Sequence, residues 1–347
     1  MPFGQRAGVE PRDRVSRLPA DFGDLERRGF LVIRSFLSEA EIALCREDFA
    51  SQRVSEGNRN YNLSNATDAV NQVLREKVDV ALARVRAATD LRVDLPLAAC
   101  YFATARGVNF GWHQDHESFF AIQNHYDYLN FYIPIVKPER DRSNLSIIPF
   151  DVLEKECPEA FGRLARGGAT RFFRRYGRLL ILFDDSGTAW LGEDFLERLG
   201  HTPGLDPGDL LLVRGDIIHR TQDTETERVS LSFRAAWSEA PVLRKRLAGG
   251  GLVKAWMMMN NPGAYLPMFR AFDALGRRSV GYAELQQAME ALPPGGGMGR
   301  KRFARFLFWQ KLRNGTVFEF VSNNLRTWLM LAAAAFRDRL RARASRA

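Results

Sequence analysis

Cysteines and long hydrophobic runs are scarce in this chain of 347 residues, and each shortage excludes a class of protein. The three cysteines lie far apart and form no Cys-x-x-Cys pair, which argues against a disulfide framework and against a cysteine zinc site. No segment reaches the ~20 consecutive apolar residues that a membrane-spanning helix needs, and the first residues lack the apolar core of a secretory signal. We therefore predict a cytoplasmic protein, with a peripheral position at the inner face of a membrane as the alternative.

Internal repeats, glycine-rich phosphate loops and recognisable nucleic-acid modules are also missing from the sequence. The net charge of +9 is compatible with an anionic substrate or a membrane surface, but without clustered aromatic and basic residues it argues little for nucleic acid. The hydrophobic content of 46% is normal for a globular enzyme with one large domain or two modest ones. These features favour a small-molecule or lipid-linked partner, and they contain no signal for an oligomeric state.

The composition divides the chain into three parts. Residues 1–23 form a polar leader, residues 24–240 contain the strand patterns, and residues 241–347 are basic, methionine-rich and helical in pattern. Within the middle part, the apolar periodicity predicts helices over residues 38–55 and 66–90.

Three local patterns refine this division. Ser38 and Glu41 have the spacing of a capping box at the start of the first helix. Residues 273–284 have the length of an EF-hand loop, but Leu275 and Arg277 stand where oxygen ligands belong, so we expect a helix-loop-helix without calcium. Residues 293–298 are a low-complexity linker of proline and glycine.

Histidine is also rare, and three residues form a pattern with metal-binding chemistry. His113 and Asp115 are two residues apart, so on a strand or at its end both side chains would point to the same side. His219 follows about a hundred residues later, at the end of a short apolar run after a Gly-Asp turn. Two histidines and one carboxylate leave three positions of a metal ion open, the arrangement found in non-haem Fe(II) oxygenases.

The other three histidines have no partner at a ligand spacing. His116 adjoins Asp115 and should point to the opposite side, which favours a structural or substrate-side role. His125 and His201 are interpreted as surface or loop residues.

Strand patterns surround the histidines. Residues 96–105 are typical of a buried strand, and residues 126–135 alternate between an apolar face and a face of tyrosines and asparagine. We expect the apolar face to be core and the other face to line a pocket. Residues 137–206 form a long insert between the candidate ligands. Within it, residues 144–149 resemble a further strand, and residues 187–204 are interpreted as a lid.

Residues 227–234 alternate as well, and one face of this predicted strand is polar. Arg228, Ser230 and Arg234 lie on that face, where an arginine and a serine pointing inward would make a receptor for a carboxylate. The alternative is an ordinary antiparallel strand whose polar face contacts water.

Together these motifs resemble a known family. His-Gln-Asp at 113–115, Gly-Asp-x-x-His at 215–219 and Arg-Val-Ser-Leu-x-Phe-Arg at 228–234 are similar to the motifs of Fe(II)/2-oxoglutarate-dependent dioxygenases, and most of all to the phytanoyl-CoA dioxygenase-like branch. The segment 28–41 is similar to the strand and helix with which that branch begins. The resemblance covers about residues 24–240.

The resemblance implies an α+β fold with a double-stranded β-helix (jelly-roll or cupin-like) core over about residues 96–240, N-terminal buttressing helices and a helical C-terminal region. It implies that His113, Asp115 and His219 ligate iron, with no catalytic side chain beyond the metal centre. Arg228 would hold the distal carboxylate of the co-substrate 2-oxoglutarate with help from Ser230, and Arg234 is the second candidate.

The residue at the carboxylate position of the predicted metal site indicates the type of reaction. Halogenating relatives have a small residue there, whereas this chain has Asp115, which favours hydroxylation or another C–H oxidation. The expected enzyme is a 2-oxoglutarate-dependent dioxygenase that produces succinate and CO₂.

Two questions stay open at this level. The segment 328–346 combines apolar residues with arginines, so it is either a terminal helix packed on its own domain or a helix on an anionic membrane surface. We favour packing. The barrel could also be the scaffold of a non-catalytic membrane-surface or binding protein, although such a protein would not need the full set of ligands and arginine.

Overall fold

The computed structural model describes residues 20–52, 61–104, 111–164, 170–175, 178–183, 187–191, 194–222, 226–293 and 297–344. Most of the predicted leader and the centre of the 293–298 linker lie outside these residues. The chain forms two compact units, the first made of Met1–Phe110, Asp127–Val152 and His201–Trp237, the second of Gly111–Tyr126, Leu153–Gly200 and Ser238–Ala347. The predicted division at residue 240 stays a prediction.

The strands are, in chain order, β1 (Phe30–Ile33), β2 (Tyr61–Asn65), β3 (Leu95–Pro96), β4 (Cys100–Thr104), β5 (Tyr128–Val136), β6 (Leu145–Ile148), β7 (Thr170–Arg175), β8 (Arg178–Phe183), β9 (Gly187–Leu191), β10 (Leu210–Arg214), β11 (Ile218–Thr221), β12 (Arg228–Ala236), β13 (Pro241–Leu243) and β14 (Ser279–Gly281).

The helices are α1 (Asp24–Arg27), α2 (Glu39–Ser51), α3 (Asp68–Ala88), α4 (His116–Phe120), α5 (Phe150–Glu156), α6 (Pro158–Leu164), α7 (Phe195–Leu199), α8 (Arg244–Ala248), α9 (Leu252–Asn260), α10 (Pro262–Leu275), α11 (Tyr282–Glu290), α12 (Arg300–Arg313) and α13 (Val317–Ala344).

The first unit contains a seven-stranded antiparallel sheet in the order β1-β10-β5-β12-β4-β2, with β3 paired to β12. A second sheet pairs β11 with β6. From β5 onward, the strands of these two sheets alternate along the chain: β5 lies in the first, β6 in the second, β10 in the first, β11 in the second and β12 in the first, while β7, β8 and β9 form a separate sheet. This alternation is the winding of a double-stranded β-helix. The α+β fold with antiparallel sheets and helices on both the N-terminal and C-terminal sides is therefore confirmed.

The N-terminal helices form as their sequence predicts. At the start of α2, the Ser38 hydroxyl accepts from the Glu41 amide at 3.4 Å and the Ser38 amide donates to the Glu41 carboxylate at 2.7 Å, which confirms the capping box. Helix α3 buries the predicted apolar stripe, including Val70, Leu74 and Val78. These helices bury their apolar faces within the first unit.

Helix α2 is tied to the sheet by a buried polar contact. The Tyr101 hydroxyl on β4 donates to the Asp48 carboxylate on α2 at 2.8 Å, and the Phe49 and Tyr101 rings lie 5.4 Å apart. On the same sheet, Phe131 of β5 stacks on Phe233 of β12 at 4.3 Å between ring centroids. Every residue of β5 from Tyr128 to Ile135 is buried. Both the apolar face and the polar face predicted for this strand are therefore covered by other parts of the protein.

The second unit contains the helices from α8 to α13 and the three-stranded sheet β7-β8-β9. The predicted helical C-terminal region is thus confirmed. Helices α10 and α11 form the expected helix-loop-helix, in which Arg277 contacts Glu284 at 2.6 Å. The predicted lid over residues 187–204 contains β9 and α7. None of the helices that the structure describes is long and apolar enough to cross a lipid bilayer.

Candidate metal centre

The first two candidate ligands lie at the start of a short helix. His113 and Asp115 belong to the segment before α4, and Asp115 is the N-cap residue of that helix, with φ −64° and ψ 131°. Its side chain makes no capping hydrogen bond. His113 is a β-bridge residue and Asp115 has extended backbone, so the expected strand-like geometry is present locally, although neither residue belongs to a strand named above.

The third candidate ligand lies on β11. His219 is paired with Ile147 of β6 in the antiparallel ladder of the second sheet. The turn before it is held from two sides. The Gly215 amide donates to the Tyr128 carbonyl at 2.8 Å, and the Asp216 carboxylate accepts two hydrogen bonds from the Arg214 guanidinium, at 3.1 and 2.7 Å.

This ion pair is buried, since the Arg214 and Asp216 side chains are 7% and 2% exposed. Sequence reasoning interpreted Asp216 only as a turn residue. The only sequence signal for the ion pair was the Arg-Gly-Asp segment at 214–216. A segment of three residues cannot distinguish a buried ion pair from an exposed turn.

The structure brings the three predicted ligands together. His113, Asp115 and His219 each offer one ligand atom, and these atoms lie within 4.8 Å of one another. All three residues are partly buried. Two imidazoles and one carboxylate form a donor set that suits a divalent transition metal with open positions, so the residues fit the implied iron.

Backbone carbonyls orient both imidazoles. Nδ1 of His113 lies 2.7 Å from the Gly111 carbonyl oxygen, and Nδ1 of His219 lies 3.2 Å from that of Ile217. Because a carbonyl oxygen only accepts, Nδ1 carries the proton in each ring and the lone pair is on Nε2. This is the usual outer contact of a metal-ligating histidine, and it prepares Nε2 of each ring to bind an ion.

The predicted carboxylate receptor lies on β12. Arg228 and Ser230 are 4% and 1% exposed, so the alternative of a polar face in water is wrong for both. Nε of Arg228 has no hydrogen-bond partner among the residues that the structure describes. A buried guanidinium in this state is costly until an anion satisfies it. Arg234 differs in its burial, because it is only partly buried, and its Nη1 donates to the Ser232 hydroxyl at 3.3 Å.

The strand pairing is irregular beside Arg228. Val229 is paired with Val136 of β5, but Ser230 is paired with Pro134, so one extra residue of β5 lies opposite this step. Such bulges redirect side chains near functional sites.

Sequence reasoning missed one cation of this region, Lys137, which directly follows β5. Its ammonium donates to the carbonyls of Arg140 and Leu205, at 2.9 and 2.7 Å, and to the Asn144 side chain. Burial lowers the pKa of Lys137 to about 8, and repulsion from Arg228 lowers it as well, although nearby aspartates oppose the shift.

The remaining histidines lie outside the cluster. His116 is buried, and its ring stacks on Phe120 at 5.5 Å. His125 lies in a loop but is also buried, with its Nδ1 2.7 Å from the Ser118 hydroxyl, so the surface interpretation is wrong for it. Its ring also stacks on the ring of Phe119, with 5.0 Å between the ring centroids. His201 is exposed, as predicted.

No protein-family description matches this chain, and no curated protein is similar to it in sequence. Solved structures are similar in fold. The carbocyclase SnoK from nogalamycin biosynthesis, described as non-haem and α-ketoglutarate-dependent, has 11% identity and a TM-score of 0.46, over 65% of this chain and 86% of its own. HygX of Streptomyces hygroscopicus, with nickel, 2-oxoglutarate and hygromycin B bound, has 14% identity and a TM-score of 0.41, over 62% and 85%.

A prolyl-4-hydroxylase of Pseudomonas putida has 14% identity and a TM-score of 0.40, over 62% of this chain and 96% of its own. At these identities the likeness concerns the path of the chain alone.

Proposed function

We propose that this protein is an Fe(II)- and 2-oxoglutarate-dependent dioxygenase that hydroxylates a small-molecule or lipid-linked substrate. The observation that carries the proposal is the convergence of His113, Asp115 and His219, three residues that are scattered in the sequence and meet within 4.8 Å. The motifs at 113–115, 215–219 and 228–234 support membership of the phytanoyl-CoA dioxygenase-like branch, whose motifs they resemble.

Each residue has a defined part in this reaction. His113, Asp115 and His219 hold the metal, and the carbonyls of Gly111 and Ile217 keep both imidazoles in the tautomer that binds through Nε2. When bound, Fe(II) and 2-oxoglutarate would supply the oxidising chemistry, in which one O₂, one keto acid and one substrate C–H bond yield succinate, CO₂ and a hydroxylated substrate.

Arg228 and Ser230 bind the distal carboxylate of the keto acid. The guanidinium supplies a planar pair of donors and the hydroxyl supplies a third. Arg228 is preferred over Arg234 because its side chain is almost fully buried, whereas Arg234 is only partly buried and donates to the Ser232 hydroxyl. Lys137 adds positive potential near Arg228 and so favours an anionic co-substrate.

Anaerobic Fe(II) titration tests the metal ligands. The protein should bind one Fe(II) per chain and, with 2-oxoglutarate, develop the weak visible charge-transfer band of a chelated keto acid. His113→Ala and Asp115→Ala should each abolish the band, whereas His201→Ala, a change at an exposed histidine outside the cluster, should leave it intact. A band that persists in both ligand variants contradicts the ligand assignment.

Titration with 2-oxoglutarate tests the carboxylate receptor. Arg228→Ala leaves the distal carboxylate without its charge partner, which typically costs ~3–5 kcal/mol, so the affinity should fall by orders of magnitude while Fe(II) binding is kept. The matched change Arg234→Ala should have a much smaller effect. The opposite ranking would assign the carboxylate to Arg234.

A screen for substrate-dependent succinate formation then identifies the substrate class. Small acids, acyl carriers and envelope lipids are the compounds to compare. A non-catalytic scaffold, the competing interpretation, would bind Fe(II) and 2-oxoglutarate weakly or not at all and would form no succinate with any of them.

A further inference from the structure

Helices α12 and α13 of the second unit present large apolar side chains to solvent. Phe318 is 83% exposed, Trp309 66% and Trp328 65%. We call the exposed apolar residues of α13 the apolar stripe. Its members are Phe318, Val321, Leu325, Trp328, Leu329, Phe336 and Leu340. The sequence predicts that the segment 328–346 packs on its own domain. Helix α13 does contact β9, α9 and α12, but its residues Trp328, Leu329, Phe336 and Leu340 remain exposed.

The apolar stripe is one continuous face. With 3.6 residues per turn, its seven members fall within an arc of about 120° around the axis of α13. Asn323, only 9% exposed, points to the opposite side of the helix. Helix α13 therefore has a face directed inward and a separate apolar face directed outward. Exposed apolar patches of this extent are rare on monomeric proteins and mark interaction surfaces.

The charge of the chain is concentrated in the same region. Residues 300–347 contain twelve lysines and arginines and two acidic residues, a net charge of +10. The other 299 residues contain 38 basic and 39 acidic residues, a net charge of −1. Arg337, Arg339 and Arg343 are exposed near the C-terminal end of the apolar stripe. The occupant of this surface must therefore accept both apolar insertion and strong positive charge.

An anionic lipid bilayer has both properties. Exposed aromatic and leucine side chains enter the boundary between headgroups and acyl chains, and long arginine side chains reach the anionic headgroups from the same helix. A second copy of this chain fits less well, because it would bring two surfaces of net positive charge together. We propose that α13 docks this protein in the plane of an anionic membrane surface. The docking goes beyond the proposed oxygenase activity and does not depend on it.

Flotation of the purified full chain with vesicles tests this proposal. The protein should float with vesicles of phosphatidylcholine and phosphatidylglycerol, stay behind with phosphatidylcholine alone, and be released at high salt. Leu329→Ser with Phe336→Ser should abolish flotation. The matched control, Val136→Ser with Leu243→Ser, changes two exposed apolar residues elsewhere and should float normally. Arg337→Gln with Arg339→Gln should weaken binding about fivefold per arginine.

Two readouts keep the outcomes distinct. Circular dichroism and Fe(II) binding should be unchanged in all these variants, so that lost flotation reflects the surface and not unfolding. Equal flotation with both vesicle types, or undiminished flotation of the Leu329 and Phe336 variant, overturns the proposal. Light scattering that shows a dimer dependent on the same two residues, without vesicle binding, assigns the surface to a second copy instead.

Discussion

Replacing Asp216 with asparagine should destabilise the fold and disturb the candidate metal centre together. Asp216 accepts two hydrogen bonds from Arg214, and both side chains are almost fully buried. The asparagine side chain would keep the volume of the aspartate but lose its charge, which removes this ion pair from the buried Arg214 guanidinium. Loss of one partner from such a pair typically costs ~3–5 kcal/mol of the free energy of unfolding.

Urea denaturation followed by tryptophan fluorescence measures this cost. The matched control is Glu284→Gln, which removes the same charge from an ion pair with Arg277 whose side chains are 39% and 54% exposed. An exposed pair contributes ~0–1 kcal/mol, so the control should unfold almost like the unchanged chain. Fe(II) affinity should fall in Asp216→Asn alone, since the pair holds the turn that leads into His219. Equal unfolding free energies for the two variants would refute the reasoning.

Three further predictions use other contacts. Because burial lowers the pKa of Lys137 from 10.5 to about 8, the folded chain binds fewer protons than the unfolded chain between these values. The free energy of unfolding should therefore rise with pH across this window, and Lys137→Met should flatten the rise in denaturation curves. Tyr101→Phe removes a hydrogen bond to the buried Asp48 carboxylate and should lower the unfolding free energy by ~1.5–3 kcal/mol in the same assay. Ser230→Ala should weaken 2-oxoglutarate binding by only ~0.5–1.5 kcal/mol in an equilibrium titration, far less than Arg228→Ala.

Much of the fold could be predicted because its signals are local. The capping box at Ser38, the apolar periodicity of α3 and the alternation along β5 and β12 each depend on residues within one element. Such patterns depend on the geometry of a single helix or strand, so a short window of sequence contains them. The element boundaries differ from the predicted ones by a few residues, because helix ends and strand ends are decided by contacts with other segments.

The errors share a physical cause. His125 has the sequence neighbourhood of a loop, yet the Ser118 hydroxyl and the Phe119 ring hold it in a buried position. The apolar residues of the segment 328–346 suggest packing, yet Trp328, Leu329 and Phe336 face solvent. In both cases the burial of a side chain depends on which distant segments cover it, and that information is absent from local periodicity.

The candidate site likewise has features that the sequence determines and features that only the tertiary structure decides. Its donor chemistry can be read from the residues alone: a His-x-Asp motif, a second histidine after a Gly-Asp turn, and an arginine with a serine on one face of a strand. Folding was needed to bring the three ligand atoms within 4.8 Å of one another, and to make Arg228 and not Arg234 the buried cation. Residue types and spacings are properties of one stretch of chain, whereas meeting points and burial arise when stretches about a hundred residues apart fold against each other.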